Sequence, residues 1–213
     1  MRVTVFGSTS DVGRLAVRDL LDNGHSVRAY VHEAVLPPAS WSADVDVVVG
    51  EITDRVAVGS AVAGAEAVVS TLWPTLNRRR VGPPLVEGTR LVVEAMLGHG
   101  VRRYVGNATP CVLDPRESPT TQTRVVSWLT RTLLPRAYRE VVGMSNAVMR
   151  TSLDWTIVRV ILPTGGPGVG VRHVGFFGTD RIGWQVSKAD LATFTADQVD
   201  SRRFLRAAPA ISS

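Results

Sequence analysis

Phe6-Gly7-Ser8-Thr9-Ser10-Asp11-Val12-Gly13 is the stretch that decides the fold. It follows the short apolar run 2–6. It precedes Leu15, Ala16, Leu20 and Leu21, which recur at helical spacing until Gly24 can stop the helix. Strand, glycine turn and helix in that order open a βαβ unit. Gly7 permits a tight turn, and Gly13 lets the helix pack closely on the sheet. The free N–H groups at the helix N-terminus suit a pyrophosphate. The usual dinucleotide fingerprint has a middle glycine where the backbone approaches the phosphate, and here that position is Ser10. Its hydroxyl can donate to a phosphate, but its Cβ occupies space. A tight turn that holds no ligand is the alternative.

Outward from this turn, strands and helices alternate. Strands are expected at 27–31, 45–49, 67–72, 104–107 and 155–160, and helices at 56–62 and 85–97. Asp54 is a candidate cap for the first of these helices. The valine-rich run 45–49 reads as a parallel strand buried on both faces. Residues 125–150 are mostly helical, broken before Pro135. The last third differs. Residues 162–168 are turn-rich and read as a loop, with short strands near 174–177 and 183–186. A helix follows over 189–198, capped by Ser187. The pattern predicts an α/β fold, a Rossmann-type doubly wound parallel sheet in one domain over 1–213. Residues from about 161 to 213 form a small C-terminal segment covering the substrate.

The second strand bears on cofactor choice. It ends Val31-His32-Glu33, so a cation for the 2′-phosphate of NADP and a carboxylate for the ribose hydroxyl of NAD are both at hand. Arg28 and His32 raise the local positive charge and tip the reading toward NADP, with NAD possible.

With 213 residues, 45% hydrophobic and 20% charged, the composition is that of an ordinary globular domain. No apolar run is long enough to span a membrane. The single cysteine, Cys111, excludes an internal disulfide and fits the reducing cytoplasm. The four histidines lack metal-ligand spacing. The net charge of +5 raises the question of nucleic acid, but the arginines are scattered apart from Arg78-Arg79-Arg80. That run lies in a loop at the ligand edge of the sheet and could meet a phosphate or an acidic substrate. We therefore expect a small-molecule substrate, no nucleic acid or membrane partner, and a monomer or homodimer. Lys188 is the only lysine among 24 basic residues, so any mechanism that needs a lysine has one candidate.

Five stretches carry a family resemblance. They are the loop 6–13, Val48-Val49-Gly50-Glu51-Ile52, Glu87-Gly88-Thr89-Arg90 through His99-Gly100-Val101, Leu153-Asp154-Trp155-Thr156-Ile157-Val158-Arg159, and Val186-Ser187-Lys188-Ala189-Asp190-Leu191-Ala192. In this order they resemble the GATGxxG, V-V-x-G-D, E-G and H-G-V, L-D-W-T-I-V-R-P and I-S-x-x-D-L-A patterns of the atypical short-chain dehydrogenase/reductases. The likeness is to their NmrA-like, NAD(P)H-binding group, and within it to the biliverdin-IXβ reductase/flavin reductase branch. The resemblance implies that Gly7, Thr9, Ser10, Asp11, Val12 and Gly13 hold the pyrophosphate. His32 would stand for a family arginine facing the 2′-phosphate, and Glu51 and Ile52 would line the adenine site. Leu72, Trp73 and Thr75 would border the ribose and the nicotinamide entrance. Ala108 and Thr109 would lie beside the nicotinamide, with Val160, Ile161 and Leu162 packed under its ring.

The departures concern chemistry. Ordinary members of the superfamily pair Tyr-x-x-x-Lys to make an acid. Here Tyr138 is followed four positions later by Val142, and Lys188 lies in the Ser-Lys-x-Asp-Leu turn. Where relatives place a lysine or histidine before the Leu-Asp-Trp strand, this chain has Ser145-Asn146. Thr109 and Asn146 remain as candidate catalytic groups, to orient or polarise a substrate, and Arg159 is read as a structural ion pair. The expectation is an NAD(P)H-dependent reductase of a planar conjugated acceptor of flavin, quinone or tetrapyrrole type. A non-catalytic dinucleotide-binding redox sensor, or a non-redox cyclase or isomerase of secondary metabolism, is the alternative.

Overall fold

A computed structural model describes residues 1–41, 44–77 and 82–213. The arginine run 78–80 lies outside the described residues. The chain order begins β1 (Arg2–Phe6), α1 (Asp11–Asp22), β2 (Ser26–Val31), β3 (Val45–Val49), α2 (Arg55–Val62), β4 (Ala67–Ser70) and α3 (Leu85–Gly98). It continues with β5 (Arg103–Ala108), α4 (Thr121–Leu133), α5 (Pro135–Met149), β6 (Asp154–Arg159), β7 (Leu162–Thr164) and β8 (His173–Gly175). The last elements are β9 (Gln185–Ser187), α6 (Lys188–Asp197) and β10 (Ala210–Ser212).

Strand periodicity sorts the core into two layers. Val3 and Val5 on one face of β1 join Val17, Leu20, Val27, Ala29, Val69 and Ala196, so α1 and α6 cover that side. Phe6 on the other face joins Val58, Val62, Leu91, Met96, Val141 and Val148, from α2, α3 and α5. The main sheet runs β3-β2-β1-β4-β5-β6-β10-β8. All pairings from β3 to β10 are parallel, and only β8 is antiparallel. The order reverses between β1 and β4. Doubly wound sheets open a crevice at such a point, beyond the carboxyl ends of the strands.

Three expectations change. β3 is an edge strand and Val49 is half exposed, so the valine run is not buried on both faces. Continuous valines report β propensity as well as double burial. Residues 162–164 are a strand, not a loop, pairing in parallel with β9. The C-terminal segment, expected only as a cover, enters the main sheet. β10 sits beside β6 and β8 beside β10, anchored by Ile157 N–H to the Ala207 carbonyl at 3.0 Å and Arg159 N–H to Pro209 at 2.8 Å. No helix among the described residues is long and apolar enough to cross a membrane.

Candidate functional site

The glycine loop is pinned from three sides. Gly7 has φ +76°, and a Cβ there would stand 2.8 Å from the Leu72 backbone nitrogen. Ser8 is buried and donates its hydroxyl to the Tyr30 carbonyl at 2.8 Å. Thr71 Oγ1 donates toward the Phe6 and Gly7 carbonyls at 3.2 and 3.0 Å. Gly13 presses on the loop so closely that a Cβ would meet the Gly7 carbonyl oxygen at 2.1 Å. Ser10 caps α1, accepting from Gly13 N–H at 3.0 Å through Oγ. One of its two acceptor lone pairs is taken by this bond, and its proton remains available to a ligand. Asp11 and Val12, in the first turn, have no intrahelical carbonyl for their N–H groups, which suits a pyrophosphate. Arg14 buttresses the loop from outside, with Nε donating to the Thr9 carbonyl at 3.0 Å.

At the end of β2, Ala34 N–H donates to His32 Nδ1 at 3.1 Å, which leaves the ring proton on Nε2. Nε2 in turn faces Glu51 Oε1 at 3.0 Å. Arg28 does not reach this end. Its Nε meets Asp46 at 2.6 Å, and Nη1 donates to the Ser60, Ala61 and Ala63 carbonyls at the C-terminal end of α2. The local cation counted from the sequence is therefore spent on a helix end. Tyr30 lies beneath, its hydroxyl donating to the Glu51 carbonyl at 2.7 Å. Burial, then the charges of Asp54, Glu51 and Glu33, push its pKa up to about 12. Ile52 is buried and packs into the space left by Gly88, where a Cβ would come within 2.3 Å of it.

The other end of the crevice is apolar. Val160 N–H donates to the Ala108 carbonyl at 3.0 Å, so the ends of β5 and β6 lie side by side. Ala108 and Val160 are buried, Ile161 is partly covered and Leu162 is half exposed. Val160 shares a cluster with Val186 and Leu191, against which Val12 packs, so the glycine loop and this floor meet. Thr109 starts the next turn, accepting from Cys111 N–H at 3.3 Å through Oγ1. Arg159 is fully buried and forms a two-pronged ion pair with Glu117, at 2.6 and 2.5 Å. Glu117 also accepts from Phe177 N–H, and Asp114 accepts from Ala208 N–H at 2.7 Å. These buried carboxylates fix the loop that carries Thr109.

Beyond β4, Leu72, Trp73 and Thr75 are partly covered, and Pro74, Thr75 and Leu76 line a hollow of about 750 Å³. Its far wall is the break between α4 and α5 at Leu134-Pro135, with Arg136, Arg139 and Glu140. The start of α3 and the start of α5 both stand at the carboxyl edge of the sheet, so the hollow opens there.

A sequence model of the NAD(P)H-binding family matches residues 7–202. The chain belongs to that family. A short-chain dehydrogenase/reductase from Veillonella parvula has the same fold, with a TM-score of 0.79 at 17% identity, covering 100% of this chain and 94% of that one. An anaerobillin reductase from Escherichia coli O157:H7 aligns with a TM-score of 0.78 at 17% identity, over 99% and 96%. The Veillonella protein in complex with NADP aligns at 0.77, also at 17% identity, over 100% and 94%. Among curated sequences, a 3-beta-hydroxysteroid dehydrogenase of Mycolicibacterium neoaurum is 34% identical over 122 residues, 53% of this chain and 33% of that protein. An uncharacterized protein of Mycobacterium tuberculosis is 31% identical over 105 residues, 49% and 12%. The chain thus spans a third or less of the curated relatives it matches.

As a member of the NAD(P)H-binding family, the chain brings Gly7, Thr9, Ser10, Asp11, Val12 and Gly13 together as one loop. His32 and Glu51 stand as a pair, and Ala108, Thr109, Val160, Ile161 and Leu162 share one edge. Asn146 stands apart. It is exposed on α5 in a shallow groove with Arg90, Val93, Glu94 and Arg150, none of them an expected site residue. It lies eleven residues beyond Pro135, about 16 Å along the helix toward the opposite edge. Sequence reasoning passed over Ser8, Thr71, Arg14, Asp114 and Glu117, which brace the site through contacts distant in sequence. Only Ser187 and Asp190 had a local signal. Ser187 Oγ accepts from Asp190 N–H at 2.9 Å, and Asp190 takes the Val169 and Gly170 N–H groups. Burial opposes the Asp190 charge, but those bonds and the Ser187 and Ser213 hydroxyls outweigh it and hold its carboxyl below the ordinary range.

Proposed function

We propose that this chain is an NAD(P)H-dependent reductase of a planar conjugated acceptor of flavin, quinone or tetrapyrrole type. The observation that carries the proposal is the floor at the carboxyl edge. Ala108, Val160 and Leu162 line it, Thr109 supplies a hydroxyl, and Arg159 is locked to Glu117. Such a floor can seat a flat ring and offers it no strong acid. The family membership and the fold shared with an anaerobillin reductase support the same reading.

The loop residues fit the dinucleotide. Asp11 and Val12 N–H groups and the Ser10 hydroxyl would hold the pyrophosphate, and His32 with Glu51 would take the adenosine ribose. When bound, the reduced nicotinamide supplies a hydride. Thr109 would orient the ring or the acceptor by hydrogen bonding, while Val160, Ile161 and Leu162 keep water from the reacting face. A conjugated acceptor spreads the resulting charge, so solvent can deliver the proton and the Tyr-x-x-x-Lys pair is dispensable. The hollow beside Pro74 and Pro135 has room for such a ring system, and Arg136 and Arg139 suit an anionic arm.

The paired carboxylate of Glu51 suits a ribose hydroxyl better than a 2′-phosphate, and Arg28 is engaged elsewhere. NADH should therefore be used at least as well as NADPH. The test follows the absorbance of NADH and NADPH with FMN, quinones and biliverdin as acceptors. Oxidation that depends on an acceptor supports the proposal. Binding without oxidation of either cofactor by any acceptor overturns it and leaves a sensor.

A further inference from the structure

Lys188, the only lysine in the chain, reaches from α6 across to α1, where its Nζ donates to Asp11 Oδ2. The two helices lie side by side and run in the same direction. Asp11 meets Lys188 at one end, Thr193 Oγ1 donates to Asp19 at 2.7 Å midway, and Asn23 Nδ2 donates to Asp197 at 3.4 Å at the other end. Both N-termini therefore arrive at the same edge of the sheet. Two partial positive charges stand together there, and the Lys188 ammonium adds a full one.

Asp11 is the first residue of α1. That is the turn whose N–H groups would take the pyrophosphate. A carboxylate suits a helix N-terminus, but it repels an arriving pyrophosphate. Lys188 cancels that charge. Its hydrogen bond and its charge also hold the Asp11 carboxyl below the ordinary range, which keeps that carboxylate charged at neutral pH.

The pair is a poor stability device. The Asp11 side chain is 74% exposed and that of Lys188 37%, and exposed ion pairs add little to folding. The packing of α6 on α1 already has Thr193 with Asp19, and Ala196 among Val17 and Leu20. Location is what distinguishes the pair. The ammonium carries three donors, and Asp11 takes one. The base of Lys188 is held in place, because Ser187 caps α6 and β9 pairs with β7 next to the apolar floor.

We propose that Lys188 is a pyrophosphate-binding residue, held in reserve at the mouth of the phosphate loop by Asp11. When a dinucleotide enters, the ammonium gives a second donor to a phosphate oxygen and screens Asp11 from it. The contact also ties the segment from β7 to α6 to the bound cofactor. The inference rests on the dinucleotide reading of the loop and assigns this lysine a role in it.

Titration of NADH and NADPH fluorescence with the parent protein, Lys188→Gln, Lys188→Arg, Asp11→Asn and the double variant tests it. Lys188→Gln should weaken binding by about ten- to a hundredfold, the range of a charge-assisted hydrogen bond. Its dependence of affinity on salt should also be shallower. Lys188→Arg should keep most of the affinity, and Asp11→Asn should bind as tightly as the parent or tighter. The double variant should recover part of the loss, because the uncompensated carboxylate is gone. Thermal melts of all five should agree within a few degrees, which separates binding from folding. If the parent binds and Lys188→Gln binds within twofold of it, the role of Lys188 is overturned and the dinucleotide reading stands. If the parent binds neither dinucleotide, both fall.

Discussion

Gly13→Ala sets two effects of opposite sign against each other. Gly13 lies inside α1, and alanine is the better helix former there by about 1 kcal/mol. Propensity alone therefore predicts a more stable protein. The new Cβ would lie 2.1 Å from the Gly7 carbonyl oxygen and 2.8 Å from Thr71 Oγ1. The first obstacle is backbone and cannot rotate away. Overpacking costs about 1–3 kcal/mol where side chains can yield, and more where they cannot. The net expectation is a loss of about 2 kcal/mol or more, a fall in Tm of about 4–8 °C for a chain of this length. Gly59→Ala is the control. Gly59 lies inside α2, and a Cβ there meets nothing within 4 Å, so it should gain about 0.5–1 kcal/mol. Urea unfolding followed by far-ultraviolet circular dichroism measures both, and nicotinamide fluorescence measures cofactor affinity. Gly13→Ala should also weaken the dinucleotide, since its loop must shift. If Gly13→Ala matches or exceeds the parent and moves with Gly59→Ala, α1 does not press on the end of β1 and the reasoning fails.

Glu117→Ala leaves Arg159 charged and buried, which should cost about 3–5 kcal/mol and lower Tm by about 10 °C in a thermal melt. Ser10→Gly loses a cap but keeps a residue tolerated there, so stability should move by a few tenths of a kcal/mol, within about 0.5. Dinucleotide affinity should fall about tenfold as the hydroxyl contact to the pyrophosphate is lost; affinity unchanged or improved in the titration would take the Ser10 hydroxyl out of the site. Thr109→Val should slow acceptor reduction about tenfold with little change in cofactor affinity, and Thr109→Ser should restore it. Burial opposes the charge of Asp114, but the side-chain bond to Arg116 and the Ala208 and Arg116 N–H groups prevail and lower its pKa below 3.8. Its folded pKa is below the unfolded one, so its contribution is present above the unfolded value and is lost as pH falls through the folded value. Asp114→Asn should be less stable than the parent at neutral pH, and the gap should narrow in urea titrations as pH falls below the ordinary carboxylate range.

Local pattern carried the first two thirds of the fold. The turn at Gly7, the break at Pro135 and the caps at Asp54 and Ser187 each depend on residues a few positions apart, and each stands where the spacing put it. β10 escaped notice because Ala210-Ile211-Ser212 is too short for alternation to register; its place depends on bonds from β6 to Ala207 and Pro209. The edge position of β3 is a property of strand order, which valine content does not report. In the site, the glycine loop was legible because its chemistry is contiguous. Arg28 misled because the sequence shows a cation near the end of β2 but not the direction of its side chain, which runs to α2. The place of Asn146 in a motif likewise says nothing of where along α5 it stands, and the structure puts it in the groove with Arg90 and Glu94. Lys188 does lie in the Ser187–Asp190 turn, but its bond to Asp11 had no local signal because the two are 177 positions apart.

The account turns on whether the loop 7–13 holds a dinucleotide. Isothermal titration of the parent protein with NADH and with NADPH tests that most directly. The account predicts saturable binding of one dinucleotide per chain, with NADH at least as tight as NADPH and affinity falling as salt rises. A folded protein that gives no heat of binding and no fluorescence change with either dinucleotide would contradict it.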